Sequence, residues 1–193
     1  MSDEVDDLRV MPLAGYEPEI GRWLWALQDI RGLTLRSLEG LTDTEIDTTP
    51  PGADNSIGVL LYHIALIEAD WLYVEALDNR PIPPHIEALF PLAARDSESH
   101  LSAIQGIPLE EHLQRLATIR SALLEEFKAM TLEGFRRPRH FPRQYDVTPE
   151  WVLYHLIEHE AEHRGHIQTL RSLLRTMDDG RWTIDDGGVV SGY

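Results

Sequence analysis

Four histidines fall within twelve residues between His155 and His166, in the stretch HLIEHEAEHRGH. Two metal-ligating patterns overlap there. His155 to His159 reads as H-x-x-E-H, and His159 to His163 reads as H-E-x-x-H. In both, a pair of imidazoles binds a divalent ion and a neighbouring glutamate can serve as a base. Imidazole is the commonest metal-binding side chain because its neutral nitrogen offers a lone pair at physiological pH. Which pair is usable depends on the element that carries it.

That element is a helix. Thr148-Pro149-Glu150 is a start signal, with Thr at the N-cap and Pro at the first helical position, and the helical pattern continues to about Arg175. With His155 at zero and 100° per residue, Val152, Leu156, Ile167, Leu170 and Leu174 define an apolar stripe centred at roughly 80–90°. On the same wheel His159 falls at about 40° and His163 at about 80°, whereas His155 and His166 fall at about 0° and 20° and Glu158 at about 300°. The His159/His163 pair therefore points inward, and the alternative pair would turn its glutamate to solvent. Two inward imidazoles are either hydrogen-bonded core residues or ligands. As ligands they need a third partner from another helix. A peptidase fits poorly, since its third ligand usually lies downstream, only 30 residues follow His163, and no sheet is evident.

The stretch SIGVLLYHIALIEADWLYVEAL, opening at a plausible N-cap, Ser56, supplies the partner. Its apolar face is broad, and His63 lies in the middle of it. Three neutral imidazoles from two helices would leave coordination positions open, which is the catalytic rather than the closed structural arrangement. Asp70, two turns beyond His63, is a candidate to orient a ligand imidazole, or else a surface charge at the stripe's edge. Glu160 is a candidate base, or else a contact to a neighbouring helix.

Two further amphipathic stretches, about residues 20–38 and the run after Pro108, bring the helices to four, so the fold class expected is all-α, a four-helix bundle. Residues 80–107 are irregular, with HIEALF and SESHLSAI as possible short helices, and residues 132–147 read as a second irregular segment. The C-terminal extension, 176–193, is rich in Gly and Asp and suits a short hairpin. At 193 residues the chain reads as a single domain with its core at about 20–175. Formal net charge is −16, from 33 acidic and 17 basic residues, which argues against a nucleic-acid or anionic-membrane partner. Cysteine is absent, so neither a disulfide nor a thiolate ligand can form within the chain. The acidic N-terminus lacks signal-peptide character, and no apolar run reads as a membrane span, so a cytoplasmic location is expected.

The stretches NSIGVLLYHIALIEADWL (55–72) and WVLYHLIEHEAEHRGHIQTLR (151–171) resemble the DinB/YfiT-like family of four-helix-bundle metalloproteins. The shared pattern is a histidine in the second helix ahead of an acidic-aromatic pair, here His63 and Asp70-Trp71. An H-x-x-x-H followed by a basic residue and glycine completes it, here His159, His163 and Arg164-Gly165. His166 departs from the pattern, where relatives often carry glutamine. The resemblance implies a homodimer binding one divalent ion, zinc or nickel foremost, through His63, His159 and His163. It further implies a small-molecule substrate and a transferase that activates a low-molecular-weight thiol. Some relatives are described instead as metal-dependent hydrolases, and a non-catalytic metal-binding stress protein is a further alternative.

Overall fold

The computed structural model describes residues 9–178 and the backbone of two strands further on, 182–184 and 190–192. Helix α1, Pro18–Arg36, begins where the Glu17 carboxylate accepts hydrogen bonds from the backbone N–H groups of Glu19 and Ile20, with Pro18 at the first helical position. A single turn, α2 (Asp43–Asp47), is fixed by a capping box between Thr42 and Glu45. Helix α3, Ile57–Asp70, starts at Ser56, whose hydroxyl accepts from the N–H of Val59. It widens at once into a π-helical turn, Trp71–Ala76, where Leu77 N–H bonds back five residues to the carbonyl of Leu72. Asp78 and Asn79, both at positive φ, end it.

After the one-turn α4 (Pro84–Glu87) come α5 (Leu109–Lys128) and the short α6 (Leu132–Arg136). Strands β1 (Arg139–Phe141) and β2 (Tyr145–Val147) then pair antiparallel, with His140 opposite Asp146. Helix α7, Pro149–Asp178, carries the histidine-rich stretch, and Thr148 caps it through the N–H of Trp151. Strands β3 (Trp182–Ile184) and β4 (Val190–Gly192) form a second antiparallel pair, matching the hairpin expected of the C-terminal extension.

The architecture is an all-α bundle in which α1 lies along α7, and α3 packs on both α5 and α7. Three expectations need correction. Residues 132–147 are not irregular: they fold as α6 and the β1–β2 hairpin. SESHLSAI forms no helix, only an isolated bridge between Arg95 and Leu101. And Ile57–Ala76 is long and apolar enough, by length and composition, to cross a membrane. It is a core helix nonetheless: 72% of its most apolar window is buried within the bundle, and it carries the buried polar groups His63, Glu68 and Glu75.

The buried apolar residues divide into two main clusters. One gathers Leu24, Leu27, Leu72, Ile119, Phe127 and Leu156. The other gathers Ile57, Leu61, Ile64, Leu116, Ile167 and Leu170. On α3 the boundary falls around Glu68, and on α7 it falls between Leu156 and Ile167, so a polar layer crosses the bundle at mid-height. Residues 80–107 cover the flank of α3. Tyr62 clamps them there, its hydroxyl donating to the carbonyl of Leu92 at 2.7 Å and accepting from the Leu92 N–H at 2.9 Å.

Candidate metal centre

The polar layer holds His63, His159 and His163. His63 comes from α3 and is 6% exposed; the other two, one turn apart on α7, are half-buried. All three present Nε2 to one point. The Nε2 atoms of His159 and His63 are 3.2 Å apart, and those of His163 and His159 are 3.1 Å apart. One potential ligand atom from each of the three lies within 4.8 Å of the other two. Nitrogens bound tetrahedrally to zinc at about 2.0–2.1 Å stand about 3.3 Å from each other, so the spacing fits a single ion.

The protonation chemistry agrees. Burial, reinforced by its neighbours His163, His63 and His155, pushes His159 down to about 3. Burial likewise pushes His63 down to about 4, with His163 and the Arg95 guanidinium adding to the effect. His163 is lowered too, first by burial and then by His166 and Arg95. The trio is therefore neutral near pH 7, and three Nε2 atoms with at most a shared proton crowd their lone pairs together. A divalent cation would resolve that crowding. With Nε2 turned inward, Nδ1 would carry the proton, and the Nδ1 atoms of His63 and His163 are buried without hydrogen-bond partners among the described residues.

That observation corrects the role considered for Asp70. It bonds to neither of those Nδ1 atoms. It is exposed, in a cleft beside Leu66, Ile67 and Phe90, where partial desolvation raises its pKa. Glu160 takes the second of the roles considered for it. It is 2% exposed and fixed between Arg31 and Arg120, so it contacts neighbouring helices and does not face a substrate. Arg31 Nε donates to Glu160 at 2.6 Å and Arg31 Nη2 to Glu68 at 2.6 Å. Arg120 Nε donates to Glu68 at 2.6 Å and Arg120 Nη2 to Glu160 at 3.0 Å. These four residues come one each from α1, α3, α5 and α7. They fill the rest of the polar layer, with Glu160 the direct chain neighbour of His159.

Glu158 is exposed, as the helical wheel predicts, and His166 is exposed as well. His155 is not part of the trio. It stacks on Trp151 with ring centroids 5.1 Å apart and planes 9° apart, and it lies 4.3 Å from the Trp71 ring. Trp71 continues onto Tyr145 of the hairpin, whose hydroxyl donates to Glu75 at 3.0 Å. An aromatic wall thus runs outward from His159 along one side, with Trp151 44% exposed at its rim.

A family model described as Mycothiol-S-transferase matches residues 24–176. The chain belongs to the mycothiol-S-transferase family. This family is DinB-like, in agreement with the resemblance carried by the two histidine stretches. The uncharacterised protein YkkA of Bacillus subtilis (strain 168) is 26% identical over 117 residues, which is 61% of this chain and 65% of YkkA. The chain thus aligns with just under two thirds of that relative. The crystal structure of a conserved protein from Enterococcus faecalis superposes with a TM-score of 0.63 at 16% identity. It covers 79% of this chain and 95% of the other, a likeness of fold.

In this member of the mycothiol-S-transferase family, sequence reasoning missed the partners of Glu160 and the wall around His155. Arg31, Glu68 and Arg120 each sit on a helix face that a wheel can draw. The wheel does not say which face meets which helix. Trp71 was read as the aromatic partner of Asp70 and Trp151 only as part of the histidine-rich stretch, while their association depends on the π turn and on β2, neither of which periodicity detects.

Proposed function

We propose that the protein is a metal-dependent thiol S-transferase, with His63, His159 and His163 as the protein ligands of one divalent ion. The observation that carries this reading is the convergence of three neutral Nε2 atoms at mid-bundle in a member of the mycothiol-S-transferase family. An ion held there would lower the pKa of a thiol that binds it, making the sulfur a thiolate at neutral pH. The chain has no cysteine to compete for that position.

The remaining chemistry falls to the chain's own residues. The bond formed is between the thiol sulfur and an electrophilic carbon, and the bond broken is the one to the leaving group, which departs with its electron pair. The thiol proton is lost to solvent. His63, His159 and His163 set the position of the sulfur. The wall of His155, Trp151 and Trp71 flanks that position and suits a flat or apolar electrophile. Arg95, close enough to bias His63 and His163, favours an anionic group nearby. Hydrolysis with Glu160 as the base does not fit, because that carboxylate is buried between two guanidinium groups.

The family context and the net charge of −16 support a homodimer in the cytoplasm that acts on small molecules and has no affinity for nucleic acid or membrane. Light scattering at micromolar concentration tests the dimer, and a monomer contradicts it. Incubation of metal-loaded protein with individual low-molecular-weight thiols and a panel of electrophiles tests the activity. Metal-dependent consumption of one thiol with formation of its S-adduct is expected. Ester or amide hydrolysis without thiol consumption would replace this reading with the hydrolase.

A further inference from the structure

We infer that the protein has a second ligand site, an anion-binding cleft between the end of α1 and the C-terminal half of α7, which takes a small organic molecule carrying two phosphate or carboxylate groups. The cleft has a volume of ≈ 490 Å³ and is lined by four arginines: Arg36 from α1, and Arg164, Arg171 and Arg175 from α7. Ser37, Gln168 and Ser172 add neutral polar groups, and among the described residues no carboxylate lines it.

Charge is what makes this arrangement unusual. The chain has 33 acidic residues and 17 basic ones, yet four of the basic ones face one cleft. A guanidinium stays charged at any physiological pH, so the four repel one another. Among the described residues, Arg171 alone of the four has evident structural work, donating at 2.7 Å to the carbonyl of Ser37 and at 2.7 Å to that of Glu39, which caps the end of α1. Among the described residues, Arg36, Arg164 and Arg175 form no salt bridge or side-chain hydrogen bond, and the Nε atoms of Arg164 and Arg171 are buried without partners. The nearby carboxylate of Glu45 feels Arg171 and Arg175, but it is engaged by Thr42 in the capping box.

The spacing points to more than one anionic group. Arg164 and Arg175 are eleven residues apart, about 16 Å along the axis, with Arg171 between them on the same face. Each planar fork can bind an oxyanion with two parallel hydrogen bonds. On the α7 wheel these arginines fall at about 160–200°, well around the helix from His159 and His163. The site therefore stands independently of the metal-dependent activity.

The test is isothermal titration of the full-length, metal-loaded protein with fructose 1,6-bisphosphate and separately with glutarate, at fixed ionic strength. One of the two should give saturable binding that weakens as salt rises, and the probe that binds tells phosphate from carboxylate. Binding should persist in His63→Ala and fall at least about tenfold, 1.4 kcal/mol, in the Arg36→Gln/Arg175→Gln double variant. Melting temperature and metal content serve as the folding controls, and Arg164→Gln gives a second, independent loss. Absence of saturable heat with both probes overturns the inference. So does unchanged affinity in the arginine variants, or binding that is lost in His63→Ala.

Discussion

At the scale of residues, the candidate centre depends on direction more than on distance along the chain. Four histidines crowd α7, but only His159 and His163 turn Nε2 towards His63, and His155 is spent on stacking with Trp151. We expect His63→Ala, His159→Ala and His163→Ala each to lower bound divalent metal by at least about tenfold in elemental analysis, and His155→Ala to leave it within about twofold. Loss of metal in His155→Ala with retention in His163→Ala would move the site to the other overlapping motif. These three residues were legible in sequence because a helix converts an interval of four into a shared face, and His63 stood in an otherwise apolar stretch. Asp70 was not legible. Its angle near the stripe's edge suits either of two environments, and the cleft against residues 80–107 decides between them.

At the scale of elements, one layer of charge ties the four long helices together. Arg31, Glu68, Arg120 and Glu160 are 6%, 2%, 4% and 2% exposed, and every carboxylate oxygen in the layer accepts at least one bond from a guanidinium. Such a layer adds little net stability over apolar packing, but removing one member strands a buried charge at a cost of about 3–5 kcal/mol. Urea denaturation of metal-free Arg120→Ala and Glu68→Ala should read a loss of that size, and a change below about 1 kcal/mol would mean that the layer is hydrated and weak. The layer also sets the height of α3 against α7, so it holds His63 level with His159. The helices themselves were readable, Ser56 and Thr148 at their caps included, because capping chemistry is local. The β1–β2 hairpin escaped because its strands have three residues each, too few for alternation to register.

For the whole molecule, buried neutral histidines link stability to pH. His63 and His112 are pushed down to about 4 and His159 to about 3, each foremost by burial. The unfolded chain takes up protons near 6.5, and the folded chain refuses them until lower pH. Stability is therefore fully present above about 6.5 and falls as the pH drops towards 4, the opposite of a histidine that gains a carboxylate partner. The melting temperature of metal-free protein should drop steadily from pH 7 to pH 4.5. His112→Asn, on α5 and outside the histidine trio, should flatten that slope, and an identical slope would place the effect elsewhere. Net charge extends the argument to partners: at −16 the molecule should show no salt-sensitive retention on DNA near physiological ionic strength. The central claim, that three histidines present an ion to an external thiol, is tested most directly by absorption spectroscopy of cobalt-substituted protein. Adding the cognate thiol should produce a sulfur-to-metal charge-transfer band in the near ultraviolet that His159→Ala abolishes. A spectrum unchanged by every candidate thiol, in protein that holds one cobalt per chain, would contradict the account.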